Sequence, residues 1–214
     1  MKEDPFKSYN PLGLSNPTEK RKTLAEKKAA QERLHIEARI ARPDDWEKLR
    51  DFRLAMLDTE GQKIGVSDKE AQKIKGRTDQ EWQNVFREGE DRFSVLVLSS
   101  SDVVGIGRAI NQKEIWWLFN LGVKMEFRGI GIGSRITAMR LNEIQARGGK
   151  EVWIYVQDTN TESIKNAESF GFRIVDTVSE KLSRIWNKGL RRMKLEDVNA
   201  PKVVARINEV LDVK

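Results

Sequence analysis

Residues 126–134, EFRGIGIGS, alternate Gly129, Gly131 and Gly133 with isoleucines behind Arg128. The stretch lies between an apolar run and a helical pattern, and no other stretch constrains the fold as much. Glycine is used where backbone must approach something closely or take a positive φ. A strand entering a Gly-rich turn that opens a helix leaves a row of backbone N–H groups at the positive end of the helix dipole. Such a turn is an anion cradle, with phosphate or pyrophosphate as its natural guest. The plainer alternative is tight strand-to-helix packing. Two better-known cradles do not match: the third glycine comes one residue early for G-x-G-x-x-G, and Gly133 is followed by Ser134 and Arg135 rather than Lys-Ser/Thr.

Hydrophobic period predicts the elements on either side. In HIEARIAR, Ile36, Ala38 and Ile40 alternate with polar neighbours, as in a half-buried strand. After Pro43, the residues Trp46, Leu49, Phe52 or Arg53, and Met56 fall at helical spacing, with Asp44 or Asp45 placed to cap. A second helical stretch covers residues 68–88 with a break expected near Gly76. RFSVLVLSS and VVGIGRAIN read as strands joined by a tight turn, and EIWWLFNLGV as a third, strongly apolar strand. Beyond the glycines, Ile136, Met139 and Ile144 mark a helix face that Gly148 and Gly149 end. EVWIYVQ is a further strand and TESIKNAESF a short helix; residues 172–198 read as two strands around a turn at Asn187, Lys188 and Gly189. This order predicts an α/β (α+β) fold, a mixed sheet with helices packed on it.

Three segments are expected. Residues 1–34 form a charged, partly helical arm with Pro5, Pro11 and Pro17 near its start, a net of three positive charges and little apolar surface, hence dispensable for folding and for ligand binding. Residues 35–198 form the packed domain. Residues 199–214 form an amphipathic helix, with Val203, Val204, Ile207, Val210 and Leu211 on one face. That helix docks on its own domain; a homodimer contact is the alternative.

Composition narrows the chemistry. The 214 residues contain no cysteine, which excludes disulfides, thiolate nucleophiles and Cys-ligated zinc and fits a reducing cytoplasm. The one histidine, His35, opens a strand, and no His/Asp/Glu cluster has metal-ligand spacing, so no metal is expected. No apolar run reaches the length of a membrane span, and the N-terminus carries Glu3 and Asp4 in place of a hydrophobic leader core. The formal charge of +6 reads as a solvated basic surface or as an attraction for phosphate-bearing ligands, with nucleic acid or the ribosome as a further contact open to the basic arm.

The pattern Arg128-Gly129-Ile130-Gly131-Ile132-Gly133 after LGVKMEF resembles the acetyl-CoA cradle of the GNAT N-acetyltransferase superfamily. Asn160, Ser163, Gly171 and Phe172 fit that superfamily's Asn-x-x-Ala/Ser and Gly-Phe spacing after the fifth strand. The resemblance covers about residues 35–198. It implies a mostly antiparallel mixed sheet whose fourth and fifth strands splay, with acetyl-CoA as acyl donor. The N–H groups of Gly129, Ile130, Gly131, Ile132, Gly133 and Ser134 would hold the pyrophosphate, with Arg128 adding charge or bracing the loop. Backbone at Leu121 and Val123 would pair with the pantetheine arm as if it were a strand. Asn160 and Ser163 would complete the site, although Asn160 as a helix cap is the plainer role. Two departures stand out: Met125 where the family often has Pro, and Ala167 where many members have a Tyr that protonates the leaving thiolate.

Direct acetyl transfer to an amine needs a neutral nucleophile, an aligned carbonyl and a donor for the developing oxyanion. Tyr155, projecting away from the face of Val152, Ile154 and Val156, is one candidate for proton transfer, and Glu114 at the start of the fourth strand is another. Asp58 and Glu60 after the first domain helix, with Trp117, Phe119 and Trp186, are candidates for acceptor contacts. Trp116 and Trp117 point to opposite faces, so only one of them can meet the acceptor. Two function classes stand: an N-acetyltransferase acting on a small-molecule or protein amine, and a catalytically inactive CoA-binding regulatory or scaffold protein, which Ala167 keeps open.

Overall fold

The computed structural model describes residues 22–60, 66–177 and 190–212. The helices are α1 (Leu24–Arg33), α2 (Trp46–Glu60), α3 (Asp68–Lys75), α4 (Asp79–Phe86), α5 (Ile132–Ala146), α6 (Thr161–Ser169) and α7 (Pro201–Leu211). The strands are β1 (Ile36–Ile40), β2 (Arg92–Ser99), β3 (Asp102–Gln112), β4 (Ile115–Val123), β5 (Val152–Gln157), β6 (Arg173–Thr177) and β7 (Leu190–Leu195).

The seven strands form one sheet in the order β1-β2-β3-β4-β5-β7-β6, antiparallel except for the parallel β4–β5 pair. This is the mixed, mostly antiparallel sheet that the resemblance implies. Strand β2 shows why it sits centrally. Residues 93–98 are buried on both faces, with Phe93, Val95 and Val97 in one core and Leu96 and Leu98 in the other. On the first face, α5 lays Ile136, Leu141 and Ile144 over Trp116, Leu118 and Val152, and α7 adds Val203 and Ile207. The terminal helix therefore docks on its own domain. On the second face, α2 and α4 bring Leu49, Phe52, Met56, Trp82 and Phe86 against Leu96, Leu98 and Ile106.

Local sequence explains several ends. The predicted break at residues 68–88 is real: Gly76 ends α3, and Thr78 restarts the chain with a capping box in which its side chain takes the Glu81 N–H and Glu81 takes the Thr78 N–H. Before α2, Pro43–Asp45 is a short 3₁₀ turn, and Asp45 rather than Asp44 acts there, accepting the Arg42 N–H at 2.7 Å. Asp45, only 5% exposed, also takes a forked hydrogen bond from Arg39 at 2.6 and 2.9 Å. The turn of the last hairpin lies outside the described residues.

One glycine in β3 decides how closely α5 approaches the sheet. A Cβ on Gly107 would stand 2.3 Å from Ile136 Cγ2 and 3.2 Å from Arg140 Nε. Only hydrogen at that position lets the Arg140 side chain pass beneath the β3–β4 ladder.

Candidate active site

The glycine turn is built as a cradle. After the 3₁₀ turn Met125–Phe127, Gly129 and Gly131 take φ of +74° and +87°, which side chains disfavour. Gly131 is the N-cap, and α5 starts at Ile132, two residues earlier than hydrophobic period alone suggests. The N–H groups of Ile132, Gly133 and Ser134 have no intrahelical carbonyl to meet. The isoleucines do the opposite work: Ile130 and Ile132 are buried in the core under the turn. The alternation therefore serves both readings, with isoleucines packing inward and glycines leaving backbone open outward. A Cβ at Gly133 would meet nothing within 4 Å. Arg128 donates from Nε to the Val123 carbonyl at 2.9 Å, which braces the loop against β4.

The expected arm also reaches this turn. Gln31 of α1 is buried; its Nε2 donates to the Ile130 carbonyl at 2.7 Å, and its Oε1 accepts from Arg135 at 2.9 Å. Lys27 carbons lie within 3.5 Å of where a Gly131 Cβ would stand. Helix α1 is thus clamped to the cradle, a contact that low apolar content did not announce.

The fourth and fifth strands part as the resemblance requires. They pair only through Trp116–Val152, Trp117–Trp153 and Leu118–Ile154. Beyond that, β4 bulges: Asn120 and Leu121 stand opposite the single residue Gly107, and Asn120 takes a φ of +52°. A cavity of about 180 Å³ opens in the resulting cleft, lined by Leu121 and Gly122 on one side, Tyr155 and Gln157 on the other, and Asn160, Ser163 and Ala167 at its α6 end. Polar side chains connect this cleft to the cradle. Ser134 Oγ donates to Asn166 Oδ1 at 2.7 Å, Asn166 Nδ2 to Thr137 Oγ1 at 2.9 Å, and Arg140 Nη2 to the same hydroxyl at 3.3 Å.

A model of the acetyltransferase (GNAT) family matches residues 49–172, more than half of the chain. The chain belongs to the acetyltransferase (GNAT) family. That family is one of acyltransferase enzymes. Among known proteins, the chain is 36% identical over 55 residues to a mycothiol acetyltransferase of Thermobispora bispora. It has the same identity over the same length to a [ribosomal protein bS18]-alanine N-acetyltransferase of Haemophilus ducreyi. Each alignment covers 26% of this chain, and they cover 19% and 38% of those two relatives. A GNAT acetyltransferase of Streptococcus pneumoniae superposes with a TM-score of 0.60 at 19% identity, covering 75% of this chain and 98% of its own. The PaiA N-acetyltransferase of Thermoplasma acidophilum, solved with coenzyme A, superposes at 0.59 and 18% identity over 75% and 98%.

On the GNAT frame, most of the sequence candidates have a definite place. Tyr155 is 36% exposed at the mouth of the cleft and stacks on Trp117 with centroids 5.1 Å apart. Trp117 also stacks on Phe119 and Trp153, so the half-open face of β4 and β5 is an aromatic shelf; Trp116, on the opposite face, is core. Asn160 caps α6 by accepting the Ser163 N–H at 3.1 Å, and it lines the cleft as well. Ala167 is a buried methyl on the cleft wall. Glu114 sits exposed in the β3–β4 hairpin turn, at the paired end of β4, and lines neither this cleft nor its neighbour. Asp58 is exposed and ion-paired with Lys75, again outside both cavities. Glu60 ends α2 with its side chain outside the described residues, as is Trp186.

The structure adds residues that motif reading missed. Arg140, 2% exposed, lines the cleft without a carboxylate partner among the described residues. It donates to the carbonyls of Arg108 and Phe119 at 3.2 and 3.3 Å, and burial lowers its pKa to about 9. A signal was present: Arg140 falls four residues from both Ile136 and Ile144, on the buried stripe of α5. Arg108 breaks the Ile106–Ile110 alternation in the same way. Among the described residues, no group of three His, Cys, Asp or Glu is arranged to hold a metal ion, and no helix is long and apolar enough to cross a membrane.

Proposed function

We infer that this protein transfers the acetyl group of acetyl-CoA directly to a primary amine of a small molecule or protein. The observation that carries the reading is a glycine turn at a helix N-terminus, linked through Ser134, Asn166 and Thr137 to the cleft where β4 and β5 stop pairing. The cradle fits a pyrophosphate, because its glycines leave N–H groups uncovered at a helix N-terminus. The parted strands fit an extended arm, since the cleft is narrow and edged by backbone on both sides. Leu121 offers that backbone. Val123 offers less, because its carbonyl already accepts from Arg128. Asn160 and Ser163 line the cleft, and the Asn160 side-chain NH2 and the Ser163 hydroxyl are polar groups available there.

Bound there, acetyl-CoA supplies an activated thioester. The chain's part is to align, to stabilise charge and to move protons. Arg140 holds the Phe119 carbonyl and withdraws electron density from the Phe119–Asn120 peptide, which strengthens the Asn120 N–H as a donor at the bulge. The amine must give up one proton, and the departing sulfur must gain one. With Ala167 unable to donate, the Tyr155 hydroxyl at the cleft mouth is the side chain for that exchange. A relative named for acetylating an alanine of a ribosomal protein supports an amine acceptor, and a chain free of cysteine suits a reducing cytoplasm.

The test has two readouts. Ligand that binds only the folded state raises stability by roughly 2.7 kcal/mol at a hundredfold excess over Kd, so acetyl-CoA should raise the melting temperature. Free thiol should then appear when a panel of amines and amino-terminal peptides is added. No melting shift and no calorimetric heat at millimolar acetyl-CoA would overturn the reading. Binding without thiol release against any amine would leave a CoA-binding protein and no transferase.

A further inference from the structure

We propose that the acceptor is a small amine carrying a carboxylate or phosphate, and that the cavity between α2–α4 and β3 receives that anion. The proposal rests on the acetyl-transfer reading and names its second substrate. The cavity has a volume of about 520 Å³, in the range of small-molecule sites. Arg53, Phe119 and Asn120 line both it and the β4–β5 cleft, so a ligand seated here ends at the bulge where acetyl transfer would occur.

Charge decides the class of ligand. Among the described residues, four arginines, Arg53, Arg77, Arg92 and Arg108, line the cavity against a single acid, Glu70. Arg92 pairs with Asp91, and Arg77 lies over the Trp82 ring at 5.3 Å. The guanidiniums of Arg53 and Arg108 donate no hydrogen bond and make no ion pair among the described residues. Arg108 is only 4% exposed, and its Nε is sealed from solvent without a partner. Its guanidinium lies over the Phe86 ring at 5.6 Å. The acid that acts on it most is Glu88, which accepts the Ser94 N–H at 2.9 Å and whose burial raises its pKa to about 7. The charge felt most by Arg53 is the like charge of Arg77. A buried cation without an acid is costly, and structural arginines normally find one, as Arg39 finds Asp45 in this same fold. Two guanidiniums facing one cavity with unused donors match a bidentate oxyanion, and the fork geometry suits carboxylate and phosphate alike.

The aromatic floor fits the rest of such a ligand. Phe119 and Phe86 give the cavity apolar surface between the arginines and the bulge. An anion held by Arg53 and Arg108 also sets the amine's approach, because Arg53 belongs to both cavities.

Matched acceptors test the proposal: alanine against alaninamide and ethylamine, and phosphoethanolamine against ethanolamine, each with saturating acetyl-CoA. The expected result is a kcat/KM at least tenfold higher for the anionic member of one pair, and the pair that shows it separates carboxylate from phosphate. Arg53→Met and Arg108→Met should each shrink that ratio at least tenfold, mostly through KM, with Arg108→Lys intermediate. Neutral acceptors equal to or better than anionic ones, or ratios unchanged in Arg53→Met, would overturn the proposal. Arg53 is only half-buried, so this variant stays informative if Arg108→Met fails to fold. A melting shift with inorganic phosphate and with N-acetylalanine is read without acetyl-CoA. Shifts in the wild type that vanish in Arg53→Met support the anion site even if acetyl transfer fails. Acetyl transfer to amines without any anion preference leaves the transferase reading intact and removes this one.

Discussion

The two sides of the β4–β5 cleft are made of different material. On the α5 side, the glycine turn is backbone: N–H groups of consecutive residues at a helix N-terminus, with open space at Gly129 and Gly133 and with Lys27 and Gln31 of α1 beside Gly131. On the α2–α4 side, the second cavity is side chain: guanidiniums from α2, β2, β3 and the α3–α4 junction, over aromatic rings from α4 and β4. A backbone cradle recognises what all its ligands share. A side-chain cavity recognises what makes one acceptor differ from another. The same fold can therefore keep the first and vary the second, which is why family membership speaks to the donor more than to the acceptor.

The largest expected effect strikes the backbone side. Gly133 has ordinary helical geometry and open space around it, so Gly133→Glu adds a negative charge at the cradle without strain. Acetyl-CoA affinity should fall roughly a hundredfold, about 2.7 kcal/mol, in calorimetry. The melting temperature of the unliganded protein should stay where it was. Unchanged affinity would mean that the anion sits elsewhere.

Next comes the strut under the side-chain side. The Arg39 guanidinium holds the Asp45 carboxyl down to about 2, below its ordinary value near 3.8. A lowered folded pKa stabilises the native state above the unfolded value and loses that contribution as pH falls from about 4 through 2. With so buried a group the contribution is roughly 2 kcal/mol. Asp45→Asn should lose about that much in denaturant unfolding at pH 7, and the difference from wild type should close near pH 2. A gap that persists at pH 2 would show that packing, and not charge, is what Asp45 supplies.

Two rate effects sharpen the boundary between the sides. Tyr155→Phe keeps the ring on its Trp117 stack and removes only the hydroxyl. Turnover should fall by roughly tenfold or more, the low end of general acid–base help, with melting temperature and acetyl-CoA affinity held; equal rates across pH would remove Tyr155 from the proton path. Arg140→Met should lower kcat by roughly tenfold with little change in acetyl-CoA affinity, a modest share of what a full oxyanion donor supplies. A loss confined to affinity would instead make Arg140 part of the donor site.

The smallest effect concerns α1. Gln31→Ala leaves the Ile130 carbonyl and Arg135 without their buried partner, which costs about 1–2 kcal/mol. The cradle should loosen, with acetyl-CoA bound several-fold more weakly. The same weakening is expected when residues 1–34 are deleted, against the first expectation that they are dispensable. Wild-type affinity in both would restore that expectation.

Some of this protein was written along the chain. Period-2 and period-3.6 patterns are local, so the strands, the helices and the break near Gly76 followed from neighbours in sequence. The cradle was legible for the same reason, since its donors are consecutive backbone groups and glycine marks them. Alternation alone set Tyr155 opposite Val152, Ile154 and Val156, and Trp116 opposite Trp117; that Tyr155 and Trp117 share a face needed the β4–β5 register. The rest needed the tertiary structure. The cleft depends on where β4 and β5 stop pairing, which a bulge opposite Gly107 decides. Gln31 and Ile130 are 99 residues apart, and nothing in a charged helix signals that its glutamine is buried. Arg53 and Arg108 have no sequence relation, and each looked like an ordinary charge in its own element. Glu114 and Asp58 looked better placed than they are, because chemical type is visible in a sequence and distance is not. Local backbone preference is set by adjacent residues; a side-chain site exists only after folding has brought distant residues together and taken away the water and counter-charges that would have made each unremarkable.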